Sequence, residues 1–558
     1  MPAPVDPLIG PRFALRGRVV AMDPQRTVFD DGVVFVEDGL ITSVQPATAP
    51  APASCADLMP VDTGATLFPG LIELHNHLPY DVLPLWEVPK KYGNRAQWGG
   101  SSNPNYHRLV TGPMTVLGND PAMMPAVVRY VEAKALVNGT TTSQGIALFS
   151  DAGARRLYRG VVRNVEATDD PALPEAASRI ADVEATDASR FLARLGQPHR
   201  LLLHLAEGVD QAARDHFLAL QYAPGQWAIN ENLVGIHCTA LTAADFTHMA
   251  ERGAAMVWSP LSNLLLYGAT ADVAAAKAAG VPIGLGSDWS VSGSKGLLGE
   301  LKAAQLASTA AGGVFPDDEL AAMATCDAAR ILGWEHALGS LAAGMRADIV
   351  GVHGITGDPY TTLVDAVDSD IALVVINGTA RAGETSLMRA LTSSPPAVVL
   401  ETSAPGLASD HAVNLYQSDA DPAVGNLTLT RADQLVRGAL AALANGAGPQ
   451  SDHASMPPRS DGAPVWHLAL DEIQLTGAEL RPRLPLLPHA RAVADELRPS
   501  TWAGGPLVEP LRSDLTDDLT AIVLDALTAT ADTAFLATLE TEPNLPADYG
   551  RQLAGLLA

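Results

Sequence analysis

Short apolar runs alternate with alanine-rich stretches through the middle of the chain. Apolar runs of this kind, bounded by Gly or Pro, are typical of buried strands, and the stretches between them predict helices. Strands that alternate with helices lie parallel, so eight such units over 69–345 predict a closed (β/α)8 barrel of the α/β class. The candidate strands are 71–77, 140–145, 160–166, 200–206, 233–238, 254–259 and 281–287, with a weaker eighth near 179–184.

Both flanks of this region have β-type patterns. Apolar runs on either side of the Asp-Gly pair at 38–39 predict a hairpin. Beyond the barrel, 344–352 and 371–376 resemble strands, and the second ends in an Asn-Gly turn. Because these strands have no other obvious partner, we expect 1–68 and 346–390 to form one composite β-sandwich domain.

The remaining segment, 391–558, has a different composition. It contains no lysine, is rich in Pro, Ser and Asp, and carries 9 Arg against 21 Asp plus Glu. Helical stripes occur at 435–443 and 515–557, and 445–463 resembles a loop or flexible linker. No chemical motif is evident in this extension, so we expect an acidic, mixed helical segment that serves as a cap or an oligomer contact.

Composition and charge narrow the classes of function. A chain of 558 residues is too long for one core, so two or three domains are expected. The formal net charge of -26 argues against binding to nucleic acid or to anionic membranes. Three widely separated cysteines fit a reducing compartment. Neither a signal peptide nor an apolar run of transmembrane length is evident, so we expect a cytoplasmic location.

Two histidines, His75 and His77, end the first predicted strand of the barrel. Side chains in a strand alternate between its two faces, so both imidazoles project from the same side. His204, His237 and Asp288 end later predicted strands, and the carboxyl ends of barrel strands converge on one mouth. Three of these four histidines, together with the aspartate, would offer ligands suited to zinc or ferrous iron, with positions left open for water and substrate.

Each of these residues also has an ordinary structural explanation when it is considered alone. His237 could be a buried core histidine, and Asp288 could cap a helix. Glu207, just beyond His204, could be a solvated turn residue. Their shared position at the same end of predicted strands nevertheless favours a metal site.

This ordered set of motifs resembles the amidohydrolase superfamily, and within it the branch that contains cytosine deaminase and triazine chlorohydrolase. The similarity covers about 12–385. Besides the histidines and acids, it includes Pro69-Gly70, Ile331-Leu332-Gly333, Gly339-Ser340-Leu341 and the segment from Gly344 to Ala347-Asp348. The stretch after His77 and the long acidic tail match no member of known substrate.

The resemblance implies a (β/α)8 barrel with a composite β-sandwich. It also implies a set of metal ligands, namely His75, His77, His204 and Asp288. By the same resemblance, Glu207 would be the acid/base and His237 would polarise the substrate or stabilise charge. Asp288 would take part in catalysis by orienting a metal-activated water.

The distribution of lysine bears on the number of metal ions. Binuclear relatives bridge two ions with a carboxylated lysine on a middle strand, but no lysine occurs between Lys134 and Lys277. Lys134 itself lies in a helical pattern rather than on a strand. The carboxylate of Glu166 could bridge two metal ions instead of a lysine. We therefore expect one divalent metal, with zinc as the first choice and iron as the alternative.

The only evidence in the sequence about the substrate is the amino-acid composition of one loop. The loop that follows His77 is rich in aromatic residues, and Trp86 and Trp98 could stack on a planar ring, with Asn263 as a polar contact. The aromatics could equally pack the loop on itself. The leading hypothesis is a metal-dependent hydrolase that cleaves a C–N bond of a small, heterocyclic molecule, as a deaminase does. The alternatives are an amide, lactam or peptide-derived bond at the same site, and a catalytically silent barrel that acts in assembly.

Overall fold

The computed structural model describes residues 12–99, 103–150, 154–168, 170–179, 188–392, 400–445, 465–470 and 519–558. In chain order, the strands are β1 (Phe13–Val20), β2 (Val28–Glu37), β3 (Leu40–Pro46), β4 (Val61–Pro69), β5 (Leu71–Ile72), β6 (Thr140–Ser143), β7 (Ala147–Ser150), β8 (Arg155–Leu157), β9 (Arg163–Asn164), β10 (Ala177–Arg179), β11 (Leu201–Leu205), β12 (Gln221–Ala223), β13 (Gln226–Trp227), β14 (Leu233–His237), β15 (Ala255–Trp258), β16 (Ile283–Leu285), β17 (Ile349–His353), β18 (Ile371–Ile376), β19 (Thr379–Glu384), β20 (His411–Val413) and β21 (Trp466–Leu468).

The longer helices follow the strands of the middle region and continue into the C-terminal part of the chain. They are Gly112–Asn119, Met124–Val137, Ala188–Leu195, Gln211–Leu218, Ala243–Ala250, Pro260–Tyr267, Val273–Ala279, Leu297–Ala310, Asp317–Met323, Cys326–Leu332, Pro359–Asp365, Thr385–Leu391, Leu429–Ala442, Thr533–Thr541 and Tyr549–Leu557. Among the described residues, no helix combines the length and the apolar character that a membrane span requires.

The middle of the chain forms two parallel sheets of α/β type. One has the strand order β10-β11-β14-β15-β16 and the other the order β5-β6-β9. Every residue of β11 and β14 is buried, which explains why these strands are nearly continuous apolar runs. Each of the eight strands overlaps a predicted segment, but β5 and β9 are only two residues long and β10 shares only residue 179 with the weak eighth segment, 179–184. Residues 180–187 are outside the described part.

Backbone hydrogen bonds join the two sheets at both of their junctions. At one junction the N–H of Ala176 donates to the carbonyl of Val165, at 2.8 Å. At the other, the N–H of Leu74 donates to Leu285 at 3.1 Å, and Asn76 forms a parallel bridge with Asp288. The second junction is important for function, because it places the end of the first strand beside the end of the last one.

Strands from both flanks of this region lie in a single eight-stranded sheet, in the order β20-β19-β18-β17-β4-β1-β2-β3. The N-terminal and later parts meet where β4 pairs antiparallel with β17, with Val350 opposite Phe68. The hairpin between β2 and β3 turns at Asp38 and Gly39, both with positive φ, as an Asp-Gly turn requires. A separate apolar cluster, which includes Leu15, packs on this sheet.

The C-terminal part of the chain packs on both regions. Strand β20 extends the eight-stranded sheet, and the helix Leu429–Ala442 packs against the helix Met124–Val137. The stripe expected at 435–443 therefore lies in a helix. Of the stripe at 515–557, residues 519–532 are not helical and two helices follow. Most of the linker expected at 445–463 lies outside the described residues.

Candidate metal centre

Three buried histidines meet at the carboxyl ends of the strands. One nitrogen from each of His75, His77 and His204 lies within 4.8 Å of the others. The ring centroids of His75 lie 4.9 Å from those of His77 and 4.8 Å from those of His204. The first two come from the extension of β5 and the third from β11, so the sheet brings together residues that are about 130 positions apart in the chain.

Asp288 presents one carboxylate oxygen to these histidines. Its Oδ1 lies 3.1 Å from Nε2 of His75 and 3.4 Å from Nε2 of His77, while Oδ2 accepts a hydrogen bond from Ser262 at 2.6 Å. Burial favours the neutral acid, but the neighbouring histidines, His75 first among them, outweigh it and hold the pKa of Asp288 well below its usual range. The carboxylate is therefore ionised.

The hydrogen bonds of His75 show that this arrangement fits a cation. Gln144 Oε1 accepts from the backbone N–H of Asn76 at 3.1 Å, so this atom is an acceptor, and it lies 2.9 Å from Nδ1 of His75. Nδ1 therefore carries the proton, and Nε2 presents a lone pair to the carboxylate of Asp288. Burial lowers the pKa of His75, which keeps the ring neutral. Two acceptors at 3.1 Å in a buried site require a positive group between them, and a divalent metal meets this need.

A chain of hydrogen bonds fixes the tautomer of His237. The indole of Trp258 donates to Thr270 at 2.7 Å, and the hydroxyl of Thr270 donates to Asn263 Oδ1 at 3.3 Å. The amide nitrogen of Asn263 then donates to Nδ1 of His237 at 3.0 Å. Burial lowers the pKa of His237 well below its usual value, so the neutral ring carries its proton on Nε2. This N–H has no hydrogen-bond partner among the described residues.

Glu207 is buried beside His204 and His237. Its Oε1 accepts a hydrogen bond from the hydroxyl of Tyr267 at 2.7 Å and lies 3.9 Å from Nε2 of His237. The indole of Trp98 donates to the same hydroxyl at 2.8 Å, and Arg95 approaches the other carboxylate oxygen at 3.8 Å. Glu207 is thus close enough to the histidines to exchange protons at the site.

A second buried carboxyl, that of Glu73, connects the strands that carry the ligands. It accepts from the side chains of Asn76 and Ser143, both at 3.1 Å, and from the backbone of Ser287 at 3.2 Å. Burial raises the pKa of Glu73 to about 7, and the hydrogen bonds from Ser287 and Asn76 limit the rise. The segments that hold His75 and Asp288 are therefore connected through Glu73 as well as through their contacts at the metal site.

The backbone at three of the strand ends is in the left-handed region that non-glycine residues rarely adopt. The φ values are +53° at Ala206, +68° at His237 and +68° at Asp288. Conformations of this kind cost free energy and persist only where the surrounding structure imposes them. They turn the chain abruptly at the strand ends. His237, Asp288 and Glu207, which directly follows Ala206, enter the site at these turns.

The aromatic residues form a buried cluster that reaches the histidines. The ring of Trp289 lies 5.2 Å from His77 and 6.2 Å from Trp98. Trp86 packs on Tyr106 at 5.2 Å, and its indole N–H donates to Asn105. Of the residues predicted to contact substrate, Trp98 is therefore linked to Glu207 through the hydroxyl of Tyr267, Trp86 lies 6.3 Å from Trp98, and Asn263 contacts His237.

Neither candidate for a bridging ligand enters the clusters found among the described residues. Lys134 lies in the helix Met124–Val137 and donates to the carbonyl of Asp81 at 2.9 Å. Glu166 accepts from the backbone of Gly145 at 2.8 Å and from the hydroxyl of Ser178. The three groups of possible ligands contain only His75, His77, His204, Glu207, His237 and Asp288.

Several residues of the site were not predicted from sequence. Tyr267, Trp289, Gln144 and Ser262 all contact predicted site residues, yet none carries a recognisable motif. Two weak signals exist, since Trp289 directly follows Asp288 and Tyr267 lies four residues after Asn263, one turn further along the same helix.

Comparison with known proteins agrees with this geometry. The model of the amidohydrolase family matches residues 206–381. A 5-methylthioadenosine/S-adenosylhomocysteine deaminase of Desulforudis audaxviator (strain MP104C) is 27% identical over 365 residues, which cover 57% of this chain and 80% of that protein. An S-triazine hydrolase of Gordonia rubripertincta is 23% identical over 450 residues, covering 65% of this chain and 88% of the relative. The crystal structure of an adenosine deaminase from Xanthomonas campestris with bound zinc superposes with a TM-score of 0.51 at 21% identity, covering 68% of this chain and 94% of the other.

The fold and the site together define a metal-dependent hydrolase. The chain contains an amidohydrolase family domain, and its relatives include deaminases and triazine hydrolases, which is consistent with the branch that resembles cytosine deaminase and triazine hydrolases. The resemblance drawn from the sequence motifs is confirmed. The protein is therefore an enzyme that uses a divalent metal to hydrolyse carbon–nitrogen bonds other than linear peptide bonds.

Proposed function

We propose that the protein is a deaminase-like hydrolase of a nitrogen heterocycle, with one zinc ion at the mouth of a closed (β/α)8 barrel. The ligands in this proposal are His75, His77, His204 and Asp288. The observation that carries it is the pair of acceptors at 3.1 Å, Nε2 of His75 and Oδ1 of Asp288, in a buried site that also contains three further histidines and the carboxylate of Glu207. The eight strands, joined at both sheet junctions by backbone hydrogen bonds, support a closed barrel.

A divalent metal at this position would lower the pKa of water from 15.7 toward about 7. In our proposal Glu207 takes the proton from the attacking water and delivers it to the leaving nitrogen. The hydrogen bond from Tyr267 to Oε1 holds the carboxylate of Glu207 beside the histidines, with that oxygen 3.9 Å from Nε2 of His237. A water held between Glu207 and Asp288 is then oriented from both sides.

His237 has a separate role in this proposal. Its Nε2–H is fixed by the chain from Trp258 through Asn263 and is directed into the site. A fixed donor in a buried site can stabilise the charge that develops on the substrate during attack. We therefore assign Asn263 to the positioning of His237 rather than to direct contact with substrate.

For the substrate we propose a planar ring that bears an exocyclic amino group. Trp289 provides apolar surface next to His77, with Trp98 beside it, and aromatic faces stack well on planar rings. Two of the relatives named above also act, by their names, on an adenosine derivative and on a triazine. An amide or lactam remains the alternative substrate class.

The test is a screen of amino-substituted heterocycles and cyclic amides with wild-type protein of known metal content. Release of ammonia supports the proposal, whereas release of an acid with a retained amine supports the alternative. Elemental analysis should give one zinc per chain. Two equivalents of metal would contradict the single-ion site.

Two variants separate the roles in the site. Glu207→Gln should retain the metal while turnover falls by about 10²–10⁴-fold, the usual scale for general acid–base catalysis. His204→Ala should lose metal affinity, because a ligand is removed. His336→Ala, which changes an exposed histidine far from the cluster, serves as the control. If Glu207→Gln loses its metal as His204→Ala does, Glu207 is a ligand and the assignment is wrong.

A further inference from the structure

The C-terminal segment 519–558 lies outside the residues that match the amidohydrolase family, 206–381, yet it contacts the loops of the metal site. Its central residue is Asp525, which is only 2% exposed. The backbone N–H of Asp525 donates to the carbonyl of Val82 at 3.0 Å. Val82 belongs to the short helix Leu78–Val82, which begins directly after the predicted ligand His77.

Asp525 is bonded to two buried lysines. One of its carboxylate oxygens binds the ammonium group of Lys134, and the other binds that of Lys295. Lys295 also pairs with Asp532, at 2.9 Å. Two ammonium groups buried this deeply need matching negative charge, and the C-terminal segment provides it.

Each lysine connects Asp525 to one ligand loop. Lys134 donates to the carbonyl of Asp81 at 2.9 Å, and Asp81 Oδ1 accepts from the backbone of Ser290, two residues after Asp288, at 2.7 Å. Lys295 lies in the loop that follows Asp288 and has a φ of +66°, a conformation that its surroundings must impose. The loops after His77 and after Asp288 therefore meet at Asp525.

A second contact of the same segment reaches the other side of the site. The amide of Asn544 donates to the carbonyls of Val88 at 3.2 Å and Leu265 at 3.0 Å. Val88 lies in the aromatic loop, and Leu265 lies in the helix Pro260–Tyr267, which contributes Ser262, Asn263 and Tyr267 to the site. The C-terminal segment thus connects three of the elements that surround the metal centre.

We propose that Asp525 is a positioning residue for the metal site, acting through Lys134 and Lys295 on the loops that follow His77 and Asp288. The C-terminal segment is then a part of the active-site scaffold. This inference rests on the metal site of the proposed function. It assigns to the extension a role that neither of the sequence-based expectations, a cap or an oligomer contact, includes.

The test compares wild-type protein with Asp525→Asn and with Glu540→Gln, which removes one exposed charge from the same segment. Zinc affinity is measured by competition with a chelator, and the unfolding temperature is measured with and without zinc. We expect Asp525→Asn to weaken zinc binding by about 10–100-fold, the range seen when groups that orient ligands are changed. The zinc-induced rise in unfolding temperature should shrink accordingly. Glu540→Gln should match the wild type.

A purely structural role for Asp525 gives a different result. The unfolding temperature would then fall equally with and without zinc while zinc affinity stayed unchanged, and this outcome overturns the inference. If Asp525→Asn does not fold, the variant Asp532→Asn is used instead, because Asp532 forms an ion pair with Lys295 and none with Lys134. Weaker zinc binding by Asp532→Asn supports the inference, and unchanged zinc binding overturns it. A wild-type chain with no zinc affinity overturns the proposed function and the inference with it.

Discussion

At the residue scale, the hydrogen bonds behind the site decide which atoms can do chemistry. His75 donates through Nδ1 to Gln144, so its other nitrogen presents a lone pair, as the proposed metal ligand must. His237 accepts through Nδ1 from Asn263, so its other nitrogen is a donor. Two histidines in the same cluster therefore have opposite functions, and the difference comes entirely from the neighbour of the buried nitrogen.

Tyr267 provides a test of how Glu207 is held. Its hydroxyl donates to Glu207 and accepts from Trp98, so it fixes both the carboxylate and the aromatic loop. In Tyr267→Phe we expect metal content to be unchanged and turnover to fall about tenfold, because a hydrogen bond to a charged group contributes about 1.5–3 kcal/mol. Steady-state kinetics and elemental analysis measure the two effects.

A matched control for this variant is Tyr360→Phe. The hydroxyl of Tyr360 has no hydrogen-bond partner among the described residues, so its removal should leave turnover unchanged. Equal activity of Tyr267→Phe and the wild type would mean that Glu207 holds its position without the phenol.

Sequence reasoning found the chemically distinctive residues but not their partners. His75, His77, His204, Glu207, His237 and Asp288 were identified because each follows an apolar run, and the strand ends do converge. Tyr267 and Gln144 were missed because tyrosine and glutamine are common in many settings, and only the packed structure shows what they touch. Asn263 was assigned to substrate for the same reason, since its bond to His237 spans 26 residues of sequence.

At the element scale, the helix Pro260–Tyr267 connects the two halves of the site. It begins with a proline, as helices often do, and ends at Gly268 with a φ of +70°. Its first turn is hydrogen-bonded to a buried carboxyl group: the N–H of Leu261 donates to Glu300 at 3.1 Å. Glu300 lies in the helix Leu297–Ala310, so this contact fixes two helices relative to each other.

Glu300 makes stability depend on pH. Burial raises the pKa of Glu300 to about 8, and bonds from Ser294 and Leu261 limit the rise. In the unfolded chain the pKa returns to about 4.5, so the folded state binds the extra proton and its stability declines as pH rises from about 5 to 8. Glu300→Gln, which keeps the shape and needs no proton, should weaken this decline.

The measurement is thermal or denaturant unfolding at several pH values between 5 and 8. Glu319→Gln removes an exposed carboxylate that pairs with Lys277, and it should keep the wild-type pH dependence. Part of the decline should persist in Glu300→Gln, because the pKa of Glu73 is also raised, to about 7. An identical profile for the wild type and Glu300→Gln would show that Glu300 is ionised in the folded protein.

The strands of the two parallel sheets were predictable as elements because most of them are apolar on both faces. β11 and β14 are wholly buried, and their sequences show it. β10 gave only a weak signal near 179–184, since its three residues include a serine and an arginine. Residues 519–532 were predicted as helical but are not. Their apolar residues contact several elements, and the spacing of these residues in the sequence resembles that of the apolar face of a helix.

At the scale of the whole molecule, a buried ion pair joins the parallel sheets of the middle region to the eight-stranded sheet. Arg163 of β9 binds the carboxylate of Asp348 with both terminal nitrogens, one of them at 3.1 Å, and donates to Asn377 at 2.7 Å. Asp348 directly precedes β17, and it also accepts from the backbone of Asn377 at 2.9 Å. The motif around Asp348 that was recognised in the sequence thus marks the contact between the two regions.

Asp348→Asn should therefore destabilise the whole chain. The substitution leaves the guanidinium of Arg163 buried without its counter-charge, and breaking a buried pair from one side costs about 3–5 kcal/mol of unfolding free energy. The midpoint of chemical denaturation measures the change. Asp31→Asn, which removes the exposed partner of Arg16 in the same sheet, should shift the midpoint very little. Equal midpoints for the two variants would mean that the Arg163–Asp348 pair does not hold the parallel sheet of β9 to the eight-stranded sheet.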